Sequence, residues 1–118
     1  MSERKALLVL HDINDAADAI VELTMGMTYE GFVADRAVHD AVLYNLLVIG
    51  EAVKRLPSRL TGSRPEVSWQ SAARMRDRLV HGYFHVSTAI VWETVEQDLP
   101  GLRAAVSSLI EEEESRDR

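Results

Sequence analysis

The most apolar stretch of the chain is VLYNLLVI at residues 42–49, which lies inside a longer helical segment at residues 35–56. Apolar side chains surround this segment on almost every side, and Asn45 and Glu51 are its polar exceptions. A helix that is apolar all round has to be covered all round, so the segment predicts the central helix of a bundle. In a chain of 118 residues, a second copy can supply part of that cover, which predicts a homodimer; complete wrapping by the chain's own helices is the alternative.

Three other segments have the apolar spacing of helices, and residues that start or stop helices separate them. Gly26 is a stop signal after the first segment, and Asp35 can cap the central helix, which ends before Pro57. Ser68 and Ser87 are in position to cap the last two helices. The expected order is a helix at residues 4–25, the central helix at 35–56, a third helix from residue 69 and a fourth from residue 88, with connections at 27–34 and 56–68. With no convincing strand, this order predicts an all-α fold, a four- to five-helix up-and-down bundle.

The last part of the chain carries two interruptions of the helical pattern. Pro100 and Gly101 are expected to kink or interrupt the fourth helix. Residues 111–118, EEEESRDR, have no core positions and are expected to fray into solvent. The predicted organisation is therefore one helical domain at residues 1–110, followed by an acidic tail at residues 111–118.

Composition limits the classes of protein that fit the chain. Cysteine is absent, so there is no disulfide framework, thiol nucleophile or thiolate metal site. Asp12 and Asp15 interrupt the first apolar run before a signal-peptide core develops. No stretch reaches the ~18 consecutive apolar residues that a membrane span needs. We therefore expect a cytoplasmic protein with no membrane association.

Positive charge is concentrated in the middle of an acidic chain. The net charge is −6, but residues 54–83 contain seven Lys or Arg residues against only Glu66 and Asp77. A basic middle of this kind favours a localised site for a polyanion over a broad surface that coats nucleic acid. A solvated arginine-rich surface is the simpler alternative.

Most of the candidate chemistry lies at residues 75–87, MRDRLVHGYFHVS. An arginine is permanently charged and offers a flat fork of donors that suits phosphate, and histidine titrates close to neutral pH. Arg76 and His81 could therefore hold and cleave a phosphodiester without a metal ion. On one continuous helix these two residues would point about 140° apart. We expect the helix to end near Val80 so that Gly82 lets the chain turn His81 toward the arginine.

Two further charged residues of this stretch have open roles. Arg78 lies three residues before His81, on the same helical face, so spacing alone favours it over Arg76 as the arginine that works with the histidine. Asp77 could orient His81 or Arg76, or could pair with a neighbouring arginine.

Four short motifs, taken together and in their order along the chain, resemble the HepT branch of the HEPN superfamily (higher eukaryotes and prokaryotes nucleotide-binding). The central one is Arg76, Asp77, three spacers and His81, followed by Tyr83 after one more residue. The others are Ile49-Gly50-Glu51-Ala52, Ile90-Val91-Trp92 and Asp98-Leu99-Pro100. The resemblance therefore spans nearly the whole chain.

The resemblance implies an all-helical, dimeric, metal-independent ribonuclease toxin that needs no cofactor. It favours Arg76 and His81 as the catalytic pair, with Asp77 and Arg78 as supporting or phosphate-binding residues. It also implies an antitoxin partner, a nucleotidyltransferase of the MntA type, that adenylylates Tyr83. Such an enzyme would use the 2′-hydroxyl of its RNA substrate and leave a 2′,3′-cyclic phosphate.

Other interpretations remain open at this stage. The protein could be a non-catalytic helical module that binds a nucleotide or serves as the partner of a nucleotidyltransferase. The acidic net charge favours this interpretation. A metal-dependent phosphohydrolase would use the His11-Asp12 and His39-Asp40 steps, although adjacent helical residues point about 100° apart. The role of His85 is open: it could carry protons or lie at the surface.

Glu51 is the remaining polar residue of interest. Because it interrupts an apolar helix, we expect it to be buried near the motif or across the dimer and to have an arginine partner.

Overall fold

The computed structural model describes residues 1–82 and 85–116, and every regular element in these residues is helical. The elements are α1 (Glu3–Thr24), α2 (Tyr29–Ala34), α3 (Arg36–Arg55), α4 (Ser58–Gly62), α5 (Trp69–Gly82), α6 (Thr88–Glu93), a π-helical turn (Thr94–Asp98) and α7 (Leu99–Arg116). The prediction of an all-α fold is confirmed. Four long helical segments correspond to the four helices expected from the sequence, and α2 and α4 are short helices within the two expected connections.

Side-chain caps start the helices where the sequence places them. Asp35 accepts a hydrogen bond from the backbone N–H of Val38 at 3.1 Å and so begins α3. Ser87 does the same for Ile90 and begins α6. Gly26 has a φ of +74°, a left-handed conformation that glycine adopts without strain, and the chain turns there after α1.

The core lies where α1 and α7 pack together and where α3 packs against α1 and α5. Its buried side chains are mostly large and apolar, with Phe32 of α2 the largest that is fully buried, and burying each large one contributes about 1.5–3 kcal/mol to folding. They include Leu10, Ile13 and Ile20 of α1, Leu43 and Ile49 of α3, and Val106 and Leu109 of α7. The described chain leaves part of α3 uncovered, because the side chain of Tyr44 is 64% exposed and Leu47 and Val48 are half-buried.

The segment before Pro100 changes helix type instead of breaking. Proline has no N–H, and its ring would meet the carbonyl group four residues earlier in an α-helix. The backbone forms a wider π turn at Thr94–Asp98, in which Leu99 donates to the carbonyl oxygen of Thr94. The chain is therefore helical without a gap from Thr88 to Arg116, and the expected interruption at Pro100 and Gly101 is replaced by this turn.

The acidic end of the chain is helical through Arg116, so the expectation that residues 111–118 fray is wrong for residues 111–116. Two hydrogen bonds from Arg59 of α4 to Glu113, at 2.9 and 3.1 Å, hold the helix against the body. Glu113 is a core position, with a side chain that is only 4% exposed. Arg64 adds a second contact through Glu112 at 2.6 Å.

Among residues 1–82 and 85–116, no helix combines the length and the apolar character needed to cross a bilayer.

Candidate active site

Helix α5 carries Arg76, Asp77, Arg78 and His81 on one continuous helix. The helix extends to Gly82, so the expected end near Val80 is wrong. Arg76 and His81 therefore point about 140° apart around the helix axis. Within one chain, the two residues of the expected catalytic pair lie on different faces of α5.

The Arg76 face of α5 is tied to α3 by a network of four charged side chains. The Nε of Arg76 donates a short hydrogen bond to Glu51 Oε1, and its Nη1 donates to Asp77 Oδ1 at 3.0 Å. Lys54 of α3 donates to the same Asp77 oxygen at 2.9 Å. Arg76 is thereby fixed in orientation while 25% of its side chain stays exposed.

The network is electrostatically matched, with two cations and two carboxylates. Hydrogen bonds to Glu51 and then to Asp77 raise the pKa of Arg76 above its usual value. Hydrogen bonds from Lys54 and then from Arg76 lower the pKa of Asp77. Asp77 therefore pairs with Arg76 and Lys54, and its role as a supporting residue stays a prediction.

Gly50 determines how closely the two helices approach at this point. A Cβ on Gly50 would lie 2.7 Å from the carbonyl oxygen of Ala72 and closer still to the Cβ of Arg76. Only a residue without a side chain allows this approach. The same contact brings Glu51, the next residue of α3, within reach of Arg76.

The His81 face of α5 borders an open cleft of about 530 Å³ between α5 and the start of α6. The cleft is lined by Arg78, His81, Gly82, His85, Val86, Ser87 and Ile90. Both Arg78 and His81 are exposed. The arginine that shares a face with the histidine within one chain is thus Arg78, as the three-residue spacing indicated.

Two expectations about neighbouring residues can be compared with the structure. Glu51 has the arginine partner that we expected; within one chain its side chain is 49% exposed, so it is not buried near the motif, and burial across a dimer stays a prediction. His85 is exposed and lines the same cleft as His81. Tyr83 lies outside the described residues.

The two His-Asp steps differ in their contacts. His11 Nε2 lies 3.4 Å from Glu114 Oε1 of α7, whereas His39 contacts the aspartate of its own step, Asp40, at 3.2 Å and the hydroxyl group of Thr88 at 3.4 Å. No group of three His, Cys, Asp or Glu side chains that could hold a metal ion occurs within the described ranges.

The sequence reasoning missed Lys54 and the role of Gly50. Lys54 lies 23 residues before Asp77, and no local pattern connects them. A detectable signal for Gly50 was its position inside an apolar helix, where glycine usually marks a close backbone approach.

A comparison with family models decides the family to which this site belongs. The model described as "Ribonuclease HepT-like" matches residues 13–109, a range that includes both faces of α5 and the whole Arg76 network. The chain belongs to the HepT-like ribonuclease family.

Curated relatives of this HepT-like chain match along most of its length. A Thermococcus cleftensis protein with the provisional name ribonuclease HepT is 39% identical over 100 residues, which is 85% of this chain and 91% of that protein. A Methanocaldococcus jannaschii protein, provisionally named RNase MJ1216, is 36% identical over 99% of this chain and 97% of its own length. No solved structure matches the HepT-like chain.

Proposed function

We propose that this HepT-like protein is a metal-independent endoribonuclease, that it acts as a homodimeric toxin in the cytoplasm, and that Arg76 and His81 carry out the cleavage. The observation that carries the proposal is the arrangement of α5. This helix presents an exposed histidine beside Arg78 in an open cleft and holds Arg76 in a fixed orientation on a different face, about 140° away. Family membership supports RNA as the substrate.

The proposed chemistry uses the substrate's own 2′-hydroxyl group. His81 removes the 2′ proton or protonates the 5′ oxygen as it leaves, a role that typically contributes about 10² to 10⁴ in rate. The 2′ oxygen bonds to phosphorus as the bond from phosphorus to the 5′ oxygen breaks. Arg76 stabilises the negative charge that grows on the phosphate oxygens. The products are a 2′,3′-cyclic phosphate and a 5′-hydroxyl end.

A second copy of the chain would resolve the separation between Arg76 and His81. Because they point about 140° apart on α5, one chain cannot direct both side chains at the same phosphate without bending the helix. A two-fold dimer can bring His81 of one subunit toward Arg76 of the other. Exposed apolar side chains on the outer surfaces of α3 and α5, Tyr44 and Val80, support a dimer through these helices.

The proposed regulation by an antitoxin rests on the resemblance of the Arg76, His81 and Tyr83 motif to the HepT branch. Tyr83 comes directly after Gly82 and two residues after His81. An adenylyl group on its hydroxyl would add a negative phosphate to the motif that is proposed to bind the RNA phosphate, which gives an electrostatic and steric reason for inhibition. We infer that a nucleotidyltransferase antitoxin of the MntA type silences the enzyme in this way.

The test is cleavage of an end-labelled tRNA pool in EDTA by the purified protein and by three variants. His81→Ala and Arg76→Ala remove the proposed catalytic groups. His11→Ala is the matched control, because it also removes a histidine side chain, but one that lies between α1 and α7 and not on α5. Helix content by circular dichroism and dimer mass are measured for each protein.

Cleavage by the wild type and the His11→Ala control, with cyclic phosphate ends and with both active-site variants silent, would support the proposal. Failure of freshly made wild-type protein, shown by mass to carry no AMP, would contradict it. A different function would then be favoured, a module that binds a nucleotide without cleavage. That alternative draws on the net charge of −6, which disfavours a broad surface for a nucleic-acid backbone.

A further inference from the structure

A second cleft adjoins the His81 cleft at Val86, which lines both. It has a volume of about 290 Å³ and lies between α2, α3 and the start of α6. Its apolar lining consists of Val33, Leu43 and Val86, and its polar rim consists of Arg36, His39, Asp40 and Thr88. Because the two clefts share Val86, an RNA strand bound across His81 can reach the second cleft.

The rim of the second cleft is held in a defined arrangement around His39. One ring nitrogen, Nδ1, lies 3.2 Å from Asp40 Oδ1, and the other, Nε2, lies 3.4 Å from the hydroxyl group of Thr88. The ring of Phe32 packs against the imidazole with 5.5 Å between centroids, and the His39 side chain is only 20% exposed. His39 is therefore a rigid part of the rim.

These contacts decide which atoms of the rim can accept hydrogen bonds. Nδ1 of His39 lies within hydrogen-bond distance of Asp40 Oδ1, and this contact is the main cause that lowers the pKa of Asp40, which is therefore a carboxylate. The hydroxyl group of Thr88 lies beside Nε2 on the other side of the ring. The lone pairs that remain at the rim belong to the Asp40 carboxylate and the Thr88 oxygen, which are both acceptors.

A cleft with the hydrogen-bond acceptors of Asp40 and Thr88 beside an apolar lining suits one kind of nucleotide base. Single-stranded RNA is recognised by hydrogen bonds to the edges of bases whose faces pack on side chains. Guanine offers N1–H and N2–H₂ side by side on its Watson–Crick edge, which matches the two oxygens of one carboxylate. Uracil offers a single N–H there. Arg36, which is 82% exposed and forms an ion pair with Asp40 at 3.5 Å, adds a positive charge that can meet a neighbouring phosphate.

We propose that the second cleft is a nucleotide subsite that selects guanine, through Asp40 and Thr88, next to the phosphate that is cleaved at His81. The inference rests on the proposed ribonuclease function and adds a base preference to it. Asp40 is the residue that determines specificity, and His39 is a positioning residue that fixes the Asp40 carboxylate and the Thr88 hydroxyl.

The test separates binding from cleavage. Binding is measured by fluorescence anisotropy with 2′-O-methyl octamers, which cannot be cut: one of uridines only, one with a single central guanosine, and one with inosine in its place. Inosine lacks the 2-amino group. The proteins are the wild type, Asp40→Asn, Thr88→Val and the control Asp12→Asn, which removes an exposed carboxylate of α1.

The wild type and the Asp12→Asn control should bind the guanosine octamer about tenfold more tightly than the uridine octamer, as expected for paired hydrogen bonds to one base edge. Inosine should lie between them. Asp40→Asn, which replaces one acceptor by a donor, should abolish the preference. Thr88→Val should reduce it while keeping the shape of the side chain.

The cleavage test uses a random single-strand RNA library, sequenced at its new ends. Guanosine should be enriched at one position beside the cut by the wild type, and Asp40→Asn should lose that enrichment. Equal binding of the guanosine and uridine octamers by the wild type, or a guanosine preference that Asp40→Asn leaves unchanged, would overturn the inference. An Asp40-dependent preference in binding without cleavage would support the subsite and refute the proposed function.

Discussion

Gly50 of α3 packs directly against Arg76 of α5. A Cβ at position 50 would meet both the Ala72 carbonyl oxygen, at 2.7 Å, and the Cβ of Arg76. Both obstacles belong to the backbone or the base of a side chain, so neither can move unless α5 itself shifts. The position of the proposed catalytic arginine therefore depends on a glycine in the neighbouring helix.

We expect Gly50→Ala to destabilise the protein, although glycine is a poor helix former. Replacing a glycine inside a helix by alanine gains up to about 1 kcal/mol in helix propensity. Overpacking against a backbone costs about 1–3 kcal/mol, so the clash should win. Gly101→Ala in α7 is the matched control, because a Cβ there meets nothing within 4 Å, and it should stabilise the fold. Urea unfolding midpoints measure both changes, and a stabilised Gly50→Ala protein would refute this account of the packing.

Mixing two inactive variants tests whether the active site is shared between subunits. If His81 of one subunit works with Arg76 of the other, a dimer of one Arg76→Ala and one His81→Ala subunit keeps one intact site. After subunit exchange in an equal mixture, about a quarter of the wild-type cleavage rate should return, since half of the dimers are mixed. A site made within one chain predicts no recovery, and that result would exclude the shared arrangement.

Arg76 and Arg78 should affect different kinetic constants. Arg78 is exposed in the cleft and can contact the RNA phosphate, so Arg78→Ala should raise KM and reduce the slope of log KM against log salt by about 0.7. Arg76 is held by Glu51 and Asp77 and should act on the transition state, so Arg76→Ala should lower kcat by about 10²- to 10³-fold. Arg103→Ala, which disrupts a surface ion pair with Asp18, should change neither constant. If Arg78→Ala instead lowered kcat and Arg76→Ala raised KM, Arg78 would be the catalytic arginine.

Acid should release the end of α7 from α4. Hydrogen bonds from Arg59 hold the pKa of Glu113 below its usual value of 4.5. A carboxylate with a depressed pKa stabilises the folded state above its unfolded pKa, and this stability is lost as the pH falls through the folded pKa. Glu113→Gln should therefore cost about 1–2 kcal/mol at pH 7, and its difference from the wild type should shrink below pH 4.5.

Urea unfolding between pH 7 and pH 3 measures this difference. Glu112→Gln is the control: it removes an ion pair whose carboxylate side chain is 57% exposed, and such pairs contribute little. A difference for Glu113→Gln that stays constant down to pH 3 would contradict the assigned role of the pair.

Local signals in the sequence predicted the helices well, because each helix start or stop depends on only a few adjacent residues. The caps Asp35 and Ser87 and the stop at Gly26 depend on side chains or backbone angles within three positions. The fate of the acidic tail could not be predicted in the same way. It depends on Arg59, which lies 54 residues before Glu113, and a charged residue in a tail gives no sign of such a partner.

The residues of the candidate active site stay a prediction, and their arrangement differs from the one that the sequence suggested. Arg76, Asp77, Arg78 and His81 all lie on α5. The sequence placed the helix end too early, because Gly82 looked like a hinge, whereas the helix includes it. Whether Arg76 meets His81 depends on contacts between helices or subunits, which the spacing of residues does not encode.

The π turn at Thr94–Asp98 sets the rotational phase of the helix that follows it. Buried residues Val91, Val95 and Leu99 are spaced by four, which in an α-helix would carry the third about 80° from the first. The wider turn takes up this excess, as a one-residue insertion would, so the apolar side of α7 still faces α1. The number of residues in this turn matters more than their identity: exchanging its exposed residues leaves the phase intact, whereas one added residue would rotate all of α7 by about 100° about its axis.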